Sequence, residues 1–150
     1  MKAVIGFLFF LLFMAGLFLV ILKGNQMSGQ MGGGAELTGV RWLPTYIGAE
    51  AVPEDAGLWV EFSVDGSING HAGCNSFFGS LTTTDGGVAV GPLGATRMAC
   101  PEPIMGRESA FLSALQQARE FEVSGQQMRC LDAERTLLIE FEASEAPEDE

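Results

Sequence analysis

Gly73-Cys74-Asn75-Ser76-Phe77-Phe78-Gly79 opens the stretch on which the fold turns, and Thr96-Arg97-Met98-Ala99-Cys100 closes it. Two of the three cysteines lie in it, and the only histidine, His71, stands just before it. Between the two halves, Asp85-Gly86-Gly87 supplies a reversal. The β-branched and aromatic residues of Phe77 to Thr83 and Val88 to Val90 flank that reversal, which is the pattern of a β-hairpin. Upstream, Leu58, Val60, Phe62 and Val64 alternate with Trp59, Glu61 and Ser63, a period of two that lays one apolar face on a core. Asp65-Gly66 provides the positive-φ positions of a tight turn, and Ser67 to Gly70 returns. Trp42 and Leu43 before Pro44 read as a short first strand carrying a buried aromatic.

Downstream of Cys100 the period changes. Pro103 suits a helix's first turn, and Ile104, Glu108, Phe111, Leu112, Leu115 and Ala118 recur at spacings of three and four, which predicts one amphipathic helix of about four turns. Phe121 to Ser124, Gln127 to Leu131 and Thr136 to Phe141 then read as strands, separated by Gly125 and Asp132-Ala133-Glu134. Strands, one helix and more strands predict an α+β domain: a curled, largely antiparallel β-sheet packed on a single amphipathic helix.

One transmembrane helix is expected ahead of this domain. Ala3 to Leu22 is an unbroken apolar run between Lys2 and Lys23, and about 20 helical residues span the hydrocarbon core of a bilayer. A cleaved signal peptide is the competing reading, but the run is longer than such apolar regions and lacks a small-residue cleavage pattern. No cysteine follows the run as a lipoprotein would require. Residues 1–23 are therefore read as an uncleaved membrane anchor. The charges at Lys2 and the α-amino group lean towards a cytoplasmic N-terminus and an exported C-terminal domain. Residues 24–39, rich in glycine with Asn, Gln and Ser, read as a flexible tether. Residues 40–142 form the globular domain, and residues 143–150 an acidic disordered tail.

The formal net charge is −11, and beyond Lys23 there are six arginines and no lysine against all 19 acids. An acidic surface repels phosphate backbones and anionic headgroups, so neither nucleic acid nor electrostatic adhesion to lipid is expected. Solubility accounts for most of this charge, with recognition of cationic partners as the functional alternative.

The run Gly73-Cys74-Asn75-x-Phe77-x-Gly79, the later Thr96-Arg97-Met98-Ala99-Cys100, and a helix carrying Glu108, Phe111, Leu112 and Leu115 resemble, in that order and spacing, the META domain, or HslJ-like, family of bacterial heat-shock and envelope proteins. Trp42 and Asp65-Gly66 extend the resemblance to about Val40 to Phe141. It implies a compact, mostly antiparallel β domain with one packed helix, often exported or membrane-attached and sometimes linked to stress or drug tolerance. It implies no catalytic mechanism. Leu81 departs from the family, which commonly has an aromatic there, and an apolar helix stands where a lipid-modified cysteine is often found.

Cys74 and Cys100 are the sharpest chemical feature. In an exported domain they read first as a structural disulfide, ahead of buried free thiols and of a redox or nucleophilic role. Cys130, in Met128-Arg129-Cys130-Leu131, reads as a small buried hydrophobe in a strand, with a thiol pairing between molecules as the alternative. A His71 and Cys74 dyad would need a bend at Gly73, because three residues along a strand place side chains on opposite faces. His71 reads instead as an ordinary loop residue. Asn75 suits a turn or bulge, since its amide bonds nearby backbone and tolerates left-handed conformations. Arg97 could set its fork against Glu108, or bind a ligand. Glu120 with Glu122, and Glu140 with Glu142, share strand faces by parity and read as solvation. No catalytic residue, cofactor or metal site is expected: one His and three scattered Cys lack ligand spacing, and the glycines lack the lysine of a phosphate loop.

Three function classes follow. The leading one is a membrane-tethered, non-enzymatic envelope module that binds a protein partner or supports envelope integrity under stress. The second is a small-molecule or lipid carrier using a cavity between sheet and helix. The third is a thiol enzyme using Cys74.

Overall fold

The central hairpin forms where the alternation is cleanest. In β3 (Leu58–Phe62) the side chains of Leu58, Val60 and Phe62 are buried while Trp59 and Glu61 face outward. β4 (Ser67–Ala72) pairs with it antiparallel, Phe62 opposite Ile68 and Leu58 opposite Ala72. Asp65 fixes the turn: its carboxylate accepts the Ser67 N–H at 2.9 Å, the local bond that makes Asp common in turns. The computed structural model describes residues 37–144, all within the second of the chain's two units, Gly32–Glu150. The anchor expected at residues 1–23, most of the tether and the last six residues lie outside the described residues. No helix among the described residues is long and apolar enough to cross a membrane.

Around that hairpin are β1 (Arg41–Ile47), β2 (Glu50–Ala51), β5 (Ser76–Thr84), β6 (Gly87–Val90) and β7 (Gly94–Ala95). The helix α1 (Ile104–Gln117) follows, then β8 (Glu120–Ser124), β9 (Gln127–Leu131) and β10 (Leu137–Ser144). The main sheet runs β6-β5-β4-β3-β1-β10-β9-β8, with β2 beside β1 and β7 beside β5. Every pairing between these strands is antiparallel.

The two ends of the sheet nearly meet. The Val88 N–H of β6 donates to the carbonyl of Arg119, just before β8, at 2.8 Å. Gly87 permits this approach, since its φ is +138° and a Cβ there would overlap the Arg119 carbonyl oxygen. The result is a nearly closed barrel, which leaves few sheet edges open.

α1 packs against this barrel with Phe111, Ala114 and Leu115 buried. Phe111 is fully buried and meets Phe77 and Phe141 edge-on, at centroid distances of 5.8 and 6.2 Å. Burying such a ring stabilises the fold by about 1.5–3 kcal/mol. Trp42, Ile68, Met128, Cys130 and Ile139 complete the interior, and the Trp42 indole N–H donates to the Leu37 carbonyl at 3.0 Å.

Several boundaries differ from the reading of the sequence. Pro44 does not end the first strand: it sits within β1 opposite Phe141, and a register shift between Pro44 and Tyr46 absorbs its missing donor. Val64 leaves the alternation and is 92% exposed in the turn. Leu37 is buried and Thr38 bridges Phe62, so the domain begins inside the stretch read as tether. At the other end Ala143 and Ser144 belong to β10, opposite Trp42 and Arg41, and not to a disordered tail.

Candidate functional site: a clamped polar cluster

The β4–β5 connection turns at Gly73, whose φ of +98° lies in the region that favours glycine. That turn delivers Asn75 into the interior, 2% exposed, facing the second turn of α1. The Asn75 amide group donates to Glu108 Oε1 at 2.8 Å and to the Met98 carbonyl at 3.1 Å. Its carbonyl oxygen accepts from the Thr96 hydroxyl at 2.9 Å and the Met98 N–H at 2.7 Å. All four hydrogen-bonding positions of the amide are thereby filled. The Asn75 backbone N–H donates to the other Glu108 oxygen at 2.8 Å.

Glu108 is 6% exposed and forms no salt bridge among the described residues. Burying a carboxylate is costly unless hydrogen bonds replace its water. Here two N–H donors from one residue do so, and hydrogen bonds to charged groups contribute about 1.5–3 kcal/mol each. Among the described residues no buried side-chain polar atom lacks a partner.

One residue before Asn75, Cys74 is disulfide-bonded to Cys100, with Cα atoms 6.1 Å apart. The Gly73–Asn75 turn is thus held by a covalent bond, by the Thr96–Met98 segment and by α1. The structural reading of Cys74 and Cys100 agrees with this geometry. The result is a three-way clamp whose buried side-chain polar atoms all have partners among the described residues.

Other candidates are placed differently from expectation. Glu108 is held by Asn75 and not by Arg97, which is exposed with its guanidinium in no hydrogen bond or ion pair among the described residues. Asn75 has no positive φ and reaches residues more than 20 positions away, where a local turn bond was expected. His71 is a strand residue of β4 and not a loop residue; its Nδ1 lies 3.0 Å from the Gly57 carbonyl and 3.2 Å from the Gly73 N–H. Phe77 and Gly79 of the motif pack inward, with Phe77 in the core. Met98 is 58% exposed beyond the clamp.

Cys130 is buried as expected, and burial, reinforced by Asp132, pushes its thiol up to about 12, which leaves it inert at neutral pH. Glu120 and Glu122 are more than solvated acids. Arg135, from the β9–β10 turn, pairs with both, and Arg129 pairs with Glu122; the two carboxylates raise the pKa of Arg135.

Nothing in the sequence marked Asn75 as Glu108's partner. The usable signal was an acid at the first position of the stripe Glu108, Phe111 and Leu115, where an apolar residue belongs.

A nearly closed antiparallel barrel with one packed helix and an internally hydrogen-bonded clamp defines an α+β domain. The chain belongs to the META domain family, whose model matches residues 35–145. It is similar to a protein from Burkholderia xenovorans solved by NMR, 28% identical, covering 75% of this chain and 87% of that one with a TM-score of 0.61. A second NMR structure, 21% identical, covers 79% and 100% with the same TM-score. A DUF4847 family protein from Bacteroides vulgatus shares the fold at 13% identity, covering 75% and 97%, TM-score 0.55. No curated protein matches the chain.

Proposed function

We propose that this protein is a membrane-tethered, non-enzymatic module of the bacterial envelope, anchored in the inner membrane by residues 1–23 and exposing its META domain to the periplasm. The observation that carries this reading is the clamp: the polar groups of Asn75 and Glu108 are spent on each other and on the Thr96–Met98 segment, so the stretch holds a surface in place. The Cys74–Cys100 disulfide supports an oxidising compartment.

Carriage of a ligand inside the barrel is the weaker reading, because Trp42, Phe111, Phe141 and Met128 fill that space. The test is affinity capture of the full chain from membranes, paired with deletion under heat and antibiotic stress. The expected result is one specific envelope partner and reduced tolerance. Absence of both would overturn the proposal.

A further inference from the structure

We propose that the groove between the β1–β2 hairpin and the first turns of α1 binds a small zwitterion of the short-peptide class. The groove encloses about 310 Å³, at the lower end of the range for small-ligand pockets, about 300–1,000 Å³. Ile47, Val52, Pro103 and Ala110 give it an apolar lining, to which Arg107 on one element and Glu50 on the other add charge.

The charges along that groove select the ligand. Arg41, Arg129 and Arg135 are ion-paired, and the Arg119 guanidinium is held by the carbonyls of Gln116 and Ala118. The Arg107 guanidinium, half-buried, forms no hydrogen bond or ion pair among the described residues, and neither does the Glu50 carboxylate. Glu102, also on the groove, uses one oxygen to accept the Gly106 N–H at 3.1 Å and keeps the other.

A simple anion would meet Arg107 but also two carboxylates, and a simple cation would meet the reverse. A dipeptide satisfies both signs: its carboxylate lies against the Arg107 fork, its ammonium against Glu50 and the remaining Glu102 oxygen, and its side chain on the apolar lining. This site is independent of the envelope reading, since it requires neither an anchor nor a protein partner.

The test is an amide chemical-shift titration of the full chain in detergent micelles with L-alanyl-L-leucine. Saturable shifts are expected at Ile47, Val52, Gly106 and Arg107, with the N-acetylated and C-amidated dipeptides each binding about tenfold more weakly or worse, a loss of about 1.4 kcal/mol. R107Q should abolish the preference for the free acid over the amide. A110L, at an exposed helix position, should narrow the groove and remove saturable binding, with the fold checked by the amide shifts of residues away from the groove. Absent or non-saturating shifts, or equal affinity for free and blocked dipeptides, would overturn the proposal.

Discussion

The domain holds two polar constellations of opposite character. At the clamp, Asn75 and Glu108 are buried, carry one formal charge between them and reach three separate segments. On the outer face of β8 and β9, Arg129 and Arg135 meet Glu120 and Glu122 in balanced ion pairs, with the two arginine side chains 52% and 61% exposed. Counting opposite charges would favour the second as the source of stability. Solvation reverses that ranking, because water screens exposed pairs almost as well as it would satisfy them apart. A buried group stripped of its partner has nothing to replace it. The clamp therefore specifies the fold, while the outer network decorates it.

Removing the hub should break this contrast most sharply. N75A deletes four hydrogen bonds and strands the Met98 and Thr96 groups together with one Glu108 oxygen, for an expected loss of about 3–5 kcal/mol in chemical unfolding. The paired substitution C74A and C100A should cost about 3 kcal/mol through the freed loop of the unfolded chain, and reductant should reproduce that loss in the wild type. E108Q sharpens the contrast, because it keeps the shape but turns one acceptor into a donor facing an N–H. A loss of about 2 kcal/mol is expected by the same unfolding assay.

The smallest effects belong to exposed groups. Asp65 is held below its ordinary 3.8, mainly by the Ser67 backbone N–H. Its contribution should be complete above about pH 4 and fade as pH falls through the lowered value. A D65N variant would flatten that part of the stability profile. R135Q should leave the unfolding midpoint nearly unchanged, and an effect as large as that of N75A would dissolve the distinction between the two constellations.

What was legible in the sequence follows the same division. Strand alternation at Leu58 to Phe62 and the spacing of Phe111 and Leu115 are set by burial of one face, so β3, β4 and α1 could be read directly. The turn at Asp65-Gly66 was legible because it is local chemistry, whereas the Cys74–Cys100 pairing, 26 positions apart, was one of three readings and rested on the expected export of the domain. β2 and β7 were not, as two-residue strands have no period and exist only because β1 and β5 lie beside them. Pro44 argued locally against a strand that β3 and β10 impose from either side. Asn75 was read as a turn former for the same reason: its role depends on Glu108, 33 positions away, and no local rule reaches that far.

The Gly73–Cys100 stretch is a structural clamp, and the proposed function rests on its lying in an exported domain. Peptide mass mapping without reduction, on full chain alkylated in intact cells by a membrane-impermeant reagent, tests it most directly. The account predicts a Cys74–Cys100 linked peptide in untreated cells, together with a Cys130 that is labelled only after unfolding. Cys74 and Cys100 recovered as free thiols, shielded in intact cells and labelled once these are permeabilised and the protein unfolded, would contradict both the clamp and the export of the domain.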